Sequence, residues 1–207
     1  MHPNAAFRPV FSGASDHALL ETLIDQIGFG MIFAATPDGP RVAHASLLST
    51  GDGAVQFHLA RGNALARHLA GTVALAVING PDGYVSPRWY ADGAQVPTWN
   101  YVSLELEGPV RRMDQDGLLG LLTALTERHE ARIVNGQPWT MKKLPDAALQ
   151  KLMGAIVGFE MEVRARRPTF KLSQNKPAAE QARVADGLET EGSRAIAQLM
   201  RQLGNSQ

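Results

Sequence analysis

Apolar positions along the first part of the chain follow two rhythms. Leu20, Leu23, Ile24 and Ile27 fall at i, i+3, i+4 and i+7. That spacing predicts a helix over 16–27, capped by Ser15 or Asp16 and ended by Gly28. The rhythm then shortens. The segments 30–36, 41–48 and 54–60 are apolar or β-rich and of strand length, and turn signals at 37–40 and 50–53 separate them. Three strands joined by tight turns predict an antiparallel meander. Asn63 opens a short helix as its N-cap, and Gly71 stands where the residue after a helix belongs.

The second half repeats the strand rhythm. Residues 72–79 predict a strand, 80–97 a loop, and 99–112 a long strand. In that long strand Val102, Leu104 and Leu106 alternate with Ser103, Glu105 and Glu107. Leu118, Leu121, Leu122 and Leu125 share one face of a helix over 116–128. A further helix over 146–153 and a strand over 155–164 follow. Ile196, Leu199, Met200 and Leu203 mark a last amphipathic helix. About six antiparallel strands with few intervening helices predict a mainly β chain with flanking helices, closed as a split barrel rather than wound as a βαβ sheet.

Composition narrows the picture. With 207 residues, 44% of them hydrophobic, the chain can bury a sizeable core as one domain or one domain with an appendage. Its 20 basic and 20 acidic residues leave no global field to attract nucleic acid or a membrane surface. From 164 to 207, however, eight Lys or Arg face four Asp or Glu, so the tail is basic and the remainder acidic. The absence of cysteine excludes disulfides, thiolate chemistry and Cys-based metal sites. The opening stretch from Met1 to Phe11 contains Pro3 and Pro9 and lacks the apolar core of a signal peptide. The best apolar run, Val73 to Ile78, is of strand length, far short of the roughly 18 residues a membrane span needs. A soluble, cytoplasmic protein is expected.

The familiar chemical fingerprints are missing. No GxGxxG, P-loop, GxSxG or HExxH pattern occurs, and the six histidines show no metal-ligand spacing. Three segments remain. His58 to Gly71 reads HLARGNALARHLAG, a strand end followed by a capped helix start. There Arg61 offers a bidentate cation near free backbone N–H groups, a plausible phosphate cradle. Tyr84, Trp89, Tyr90, Trp99 and Tyr101 gather five of the six Trp and Tyr residues into eighteen positions. Such a cluster suits a planar aromatic ligand, a subunit interface, or a small core beneath a long loop. Phe170 to Asn175, FKLSQN, follows a strand through a corner at Pro168 and offers a cation, a hydroxyl and amides. These could read a heterocycle or could simply be solvated in a linker.

In their order along the chain these segments resemble the PaiB family. The resemblance is carried by the M-x-P…F opening, Ala43-His44 with Leu47-Leu48, HLARGN from His58, GYVSPRWY from Gly83, VPTWNY from Val96, AIVGFE from Ala155, and FKLSQN from Phe170. It spans nearly the whole chain. It implies an FMN-binding split barrel like that of pyridoxamine-phosphate oxidases, assembled as a homodimer with FMN at the subunit interface and proposed to act as a negative regulator of transcription. It further implies that Arg61 and Asn63 approach the FMN phosphate, beside Leu59 and Ala60. His44, Ser46 and His58 would lie beneath the ribityl chain and ring. Trp99 and Tyr101, with Ser86 and Trp89, would come from across the interface, and Lys171, Ser173 and Gln174 would form a third wall. No metal ligand is expected and no catalytic residue is assigned. The barrel would cover 1–170, with 171–207 as a basic extension ending in a helix. Two other readings stay open. One is an FMN-dependent oxidoreductase. The other is a haem-binding relative using His44, His58 or His129. DNA is a conceivable partner through paired basic tails, and no membrane partner is expected.

Overall fold

Gly28 ends the first helix as the sequence suggests: it takes φ +60 and its N–H donates to the Ile24 carbonyl. In this computed structural model, which describes residues 2–8 and 14–204, that helix is α1 (Ala14–Ile27). It starts before the expected caps at Ser15 and Asp16, and residues 9–13 just before it lie outside the described ones, as does Met1. The strands β1 (Phe29–Thr36), β2 (Gly39–Ser49) and β3 (Ala54–Ala60) form the expected meander. Then come α2 (Ala66–Leu69), β4 (Val73–Val85), β5 (Thr98–Arg112), α3 (Gln115–Glu130), α4 (Asp146–Gly154), β6 (Ile156–Glu162), β7 (Ala165–Lys171), α5 (Ala178–Thr190) and α6 (Arg194–Gly204).

The strands run in the order β4-β1-β2-β3-β6-β5-β7, and an additional β4–β5 pairing closes the ring. The fold is a mainly antiparallel split barrel with flanking helices. β2 serves two partners, with 39–46 laddered to β1 and 47–49 to β3. Alternation sorts the side chains. Ala43, Ala45, Leu47, Val55, Phe57, Leu59, Phe159 and Met161 are buried, and the Phe57 and Phe159 rings lie 5.6 Å apart across paired strands. On a different packing layer, Leu121 and Leu125 of α3 cover Leu48.

By their contacts the residues fall into two units. One comprises His17–Ile78 and Leu106–Arg166, the other Asn79–Glu105 with the described residues of 1–16 and 167–207. In the second unit α5 and α6 pack as a helix pair through Val184, Ala185, Leu188, Ile196, Ala197 and Met200.

Three local expectations change, and one helix was not foreseen. Residues 80–85 continue β4 instead of forming a loop. Their glycines mark close packing, not a turn: a Cβ on Gly80 would lie 2.9 Å from Val102 Cβ, and one on Gly83 would lie 2.5 Å from Leu188 Cδ2. Pro168, read as a corner, sits inside β7, which ends the strand order. An edge strand tolerates the missing N–H. α5 went unread because its polar faces dilute a narrow stripe of Val184, Ala185 and Leu188. Asn63 is not a helix N-cap. α2 is a single turn beginning at Ala66, and Asn63 Oδ1 instead accepts from Leu65 N at 2.9 Å in the turn before it. Gly71, at φ +81, does follow the helix as expected.

Candidate functional site

β1 and β2 carry apolar side chains on both faces. Ile32, Ala34, Ala43 and Ala45 point into the core. The other face shows Phe29, Met31 and Phe33 on β1, with Val42, His44 and Ser46 on β2. The register sets Phe29 opposite Ser46, Met31 opposite His44 and Phe33 opposite Val42. β4 extends the same face with Leu75 and Val77, opposite Phe33 and Met31. Phe29 is 53% exposed, Val42 44% and Val73 60%, so this sheet face is open among the described residues. His44 is exposed within it and stacks on Phe29, ring centroids 6.3 Å apart at 20°. Ser46 is half-buried beside it. The sequence reading marked His44 and Ser46 but not the apolar residues around them. The available signal was a strand apolar on both faces, which a half-solvated antiparallel strand does not show.

The HLARGN segment lies at the end of β3. His58 is half-buried opposite Gly158, and its Nδ1 is enclosed without a hydrogen-bond partner. Leu59 belongs to the core at 3% exposure, so only its main chain is available to a ligand. Ala60 is exposed at the strand end. Arg61 is anchored: Nε donates to the Gly154 carbonyl at 2.8 Å and Nη2 to that of Ile156 at 3.2 Å, while its own N–H donates to Ala155 O. No carboxylate pairs with it among the described residues. A Cβ on Gly62 would meet nothing within 4 Å, so the backbone beside this fixed cation is open. Arg61 also lines a recess of about 190 Å³ together with Asp114, Gly154 and Gly158.

Burial lowers the pKa of His58. The unfolded chain therefore binds the proton more readily than the folded one. Stability that is full above the ordinary histidine value of about 6.5 is lost as pH falls through it. In the apo protein His58→Leu should shrink the drop in melting temperature between about pH 7.5 and about pH 5.5. Thermal melts at the two pH values check this; an undiminished drop would mean that His58 is not the group responsible.

The aromatic segment belongs to the other unit. Ser86 Oγ accepts from Arg88 N at 3.3 Å and caps the single turn 87–89 that carries Trp89. Trp89 lies flat against the helix backbone, since a Cβ on Gly187 would fall 2.3 Å from its ring. Trp99 is 54% exposed and meets Tyr84 edge-on at 6.0 Å. Tyr101 shares the Trp99 face of β5, opposite the buried Asn100 and Val102. Tyr84, Ser86, Trp89 and Trp99 line an open cleft of about 980 Å³. Lys171, Ser173 and Gln174 also lie in this unit, but their polar atoms are engaged by the protein. Lys171 bonds to Thr98 and Trp99, Ser173 to Asn100, and Gln174 to its own loop. Burial lowers the Lys171 pKa and raises that of Tyr90. The sequence reading missed Asn100, an amide set in an otherwise alternating strand.

Among the described residues no group of three or more His, Asp or Glu is placed to hold a metal ion, and no helix is long and apolar enough to cross a membrane.

A family model described as "Putative FMN-binding domain" matches residues 1–165. The chain belongs to this FMN-binding family. Its cofactor is FMN, and the resemblance to PaiB stands: the chain is 32% identical over 129 residues to "Protease synthase and sporulation protein PAI 2" of Bacillus subtilis. That match covers 61% of each chain, so less than two thirds of the relative's length is spanned. An uncharacterised protein of Emericella nidulans is 26% identical over 200 residues, covering 81% of this chain and 78% of its own. Among solved structures, the FAD and heme binding protein from Mycobacterium smegmatis aligns with TM-score 0.56 at 19% identity, over 79% of this chain and 75% of that one. The flavocytochrome Anf3 from Azotobacter vinelandii aligns with TM-score 0.59 at 12% identity, over 82% and 72%. These two share the fold.

The residues of the FMN-binding family member fit a flavin nucleotide in kind. Among the described residues Arg61 is a fixed cation with no acidic partner and His58 holds an unsatisfied nitrogen, and the open β1–β2 face is apolar with two polar side chains set in it.

Proposed function

We propose that the chain binds FMN at the interface of a homodimer formed through the open face of β4, β1 and β2. The observation that carries this reading is that face: its Phe29, Met31, Phe33 and Val42 surround His44 and Ser46. An exposed apolar sheet face of this kind calls for a partner, and a second copy supplies a matching one. The phosphate is held at Arg61 and Asn63, close to the main chain of Leu59 and Ala60. His44, Ser46 and His58 serve the ribityl chain and ring. The partner's Trp99 and Tyr101, with Ser86 and Trp89, close the far side. The barrel spans 1–170, and 171–207 is its extension.

When bound, FMN supplies one- and two-electron redox chemistry. The chain's own part is to fix the phosphate with a pre-oriented guanidinium, to offer hydrogen bonds to the flavin, and to keep water from its face through dimer contact. A regulatory role like that proposed for PaiB proteins follows if flavin occupancy changes the dimer. In the basic tail Arg164 pairs with Glu162, Arg183 with Glu180, and Arg201 with both Asp186 and Glu189, so these three cations are partly neutralised towards a phosphate backbone.

Arg61→Gln is expected to weaken FMN binding by roughly thirtyfold or more, the worth of a charge-assisted phosphate contact, and to leave riboflavin binding nearly unchanged. Titrations of the visible spectrum with FMN and with riboflavin check this. Equal losses for both ligands would place the phosphate elsewhere.

A further inference from the structure

Lys171 Nζ donates to the Trp99 carbonyl at 2.7 Å and to Thr98 Oγ1, and it lies 6.0 Å from the Phe7 ring centroid. Two residues on, Ser173 is buried and takes φ +61, a left-handed conformation that a side-chain-bearing residue adopts only when its surroundings hold it. Its Oγ accepts from Asn100 Nδ2 at 2.9 Å, and the same amide nitrogen lies 3.3 Å from Met200 Sδ. Asn100 is 1% exposed. Gln174 folds back on its own loop, with Oε1 accepting from Leu172 N at 2.7 Å and Nε2 donating to Phe170 O. Lys176 Nζ donates to Gln95 Oε1 at 2.6 Å.

Lys171 and Ser173 of FKLSQN, with Lys176 just beyond it, therefore grip 95–100 at three places: Thr98–Trp99, Asn100 and Gln95. The main chain at Trp99 is pinned on both sides while its ring stands 54% exposed. Side chains already spent in this way have little left for a ligand. They can, however, fix the height and tilt of a ring that meets one.

We propose that Lys171, Ser173 and Asn100 are positioning residues for Trp99, setting the aromatic wall that FMN meets without touching FMN themselves. This rests on the reading above that Trp99 faces the flavin. A double-mutant cycle on the FMN-loaded protein tests it, read by FMN affinity and by the visible circular dichroism of the bound flavin. Trp99→Ala and Lys171→Met should each alter the dichroism and weaken FMN roughly tenfold, the worth of one aromatic contact or one charged hydrogen bond. With the ring gone the clamp has nothing left to position, so the double variant should be no worse than Trp99→Ala alone, and Lys171→Arg should restore most of the signal. If Lys171→Met keeps its full effect in the Trp99→Ala background, Lys171 acts on the flavin by another route and the positioning role is overturned. An unchanged dichroism in Lys171→Met overturns it as well. Should Lys171→Met not fold, Thr98→Val, which removes only one acceptor of the clamp, carries the same comparison. No effect of Trp99→Ala would instead overturn the wall reading itself, which separates the two failures.

Discussion

Met31→Glu is expected to leave a folded monomer that no longer holds FMN. Met31 sits mid-strand in β1 on the open face, between His44 of β2 and Val77 of β4, with Phe29 and Phe33 two residues away on either side. A carboxylate there costs the monomer less, because Met31 is only half-buried and its neighbours Phe29 and Val42 are exposed among the described residues. In a dimer it would be buried among apolar side chains of the second copy, with only the His44 imidazole beside it. Such burial costs several kcal/mol per charge, about enough to lower affinity a thousandfold or more. The flavin leaves with the partner that closes its site. Light scattering, circular dichroism and an FMN titration on one preparation check the three parts. A dimer that tolerates the charge would move the interface off this face.

Gly108→Ala is expected to cost about 3 kcal/mol or more of stability, the range of forced overpacking in a core. A Cβ at this position of β5 would fall 1.7 Å from the carbonyl oxygen of Glu162, and the atom in the way is backbone, which cannot swing aside. The neighbouring bond from Arg164 N to Glu107 O, at 2.9 Å, holds the two segments at that spacing. Gly120→Ala is the control. In α3 its Cβ would meet nothing within 4 Å, so the same change should stabilise the helix by about 0.5–1 kcal/mol. Urea unfolding of both variants gives the comparison. Equal midpoints for the two would contradict the close β5–Glu162 approach.

Much of the barrel was legible because its strands obey simple alternation between clear punctuation. The segment 54–60 matches β3 at both ends, since turn residues stop it on one side and the RGN corner on the other. Where punctuation residues serve packing, the reading failed. The glycines of NGPDG allow Val102 and Leu188 to approach β4, and in isolation they look like a turn. Pro168 looked like a corner because its place on an edge strand is a property of the assembled sheet.

The site was legible in part for a related reason. His44, His58 and Arg61 could be singled out by chemistry and by resemblance. The apolar face around His44 could not, because a run such as FGMIFAAT does not say which of its two faces finds cover inside the chain. FKLSQN offered the right functional groups, but only coordinates show that those groups are satisfied by Thr98, Trp99 and Asn100.

In the function proposed above, FMN sits where two copies of the chain meet. Sedimentation velocity of the FMN-loaded protein, followed in the visible flavin band, checks this. A single flavin-bearing boundary is expected at about twice the 22.3 kDa chain mass, which Met31→Glu abolishes together with the colour. Flavin moving with a 22.3 kDa species would contradict it.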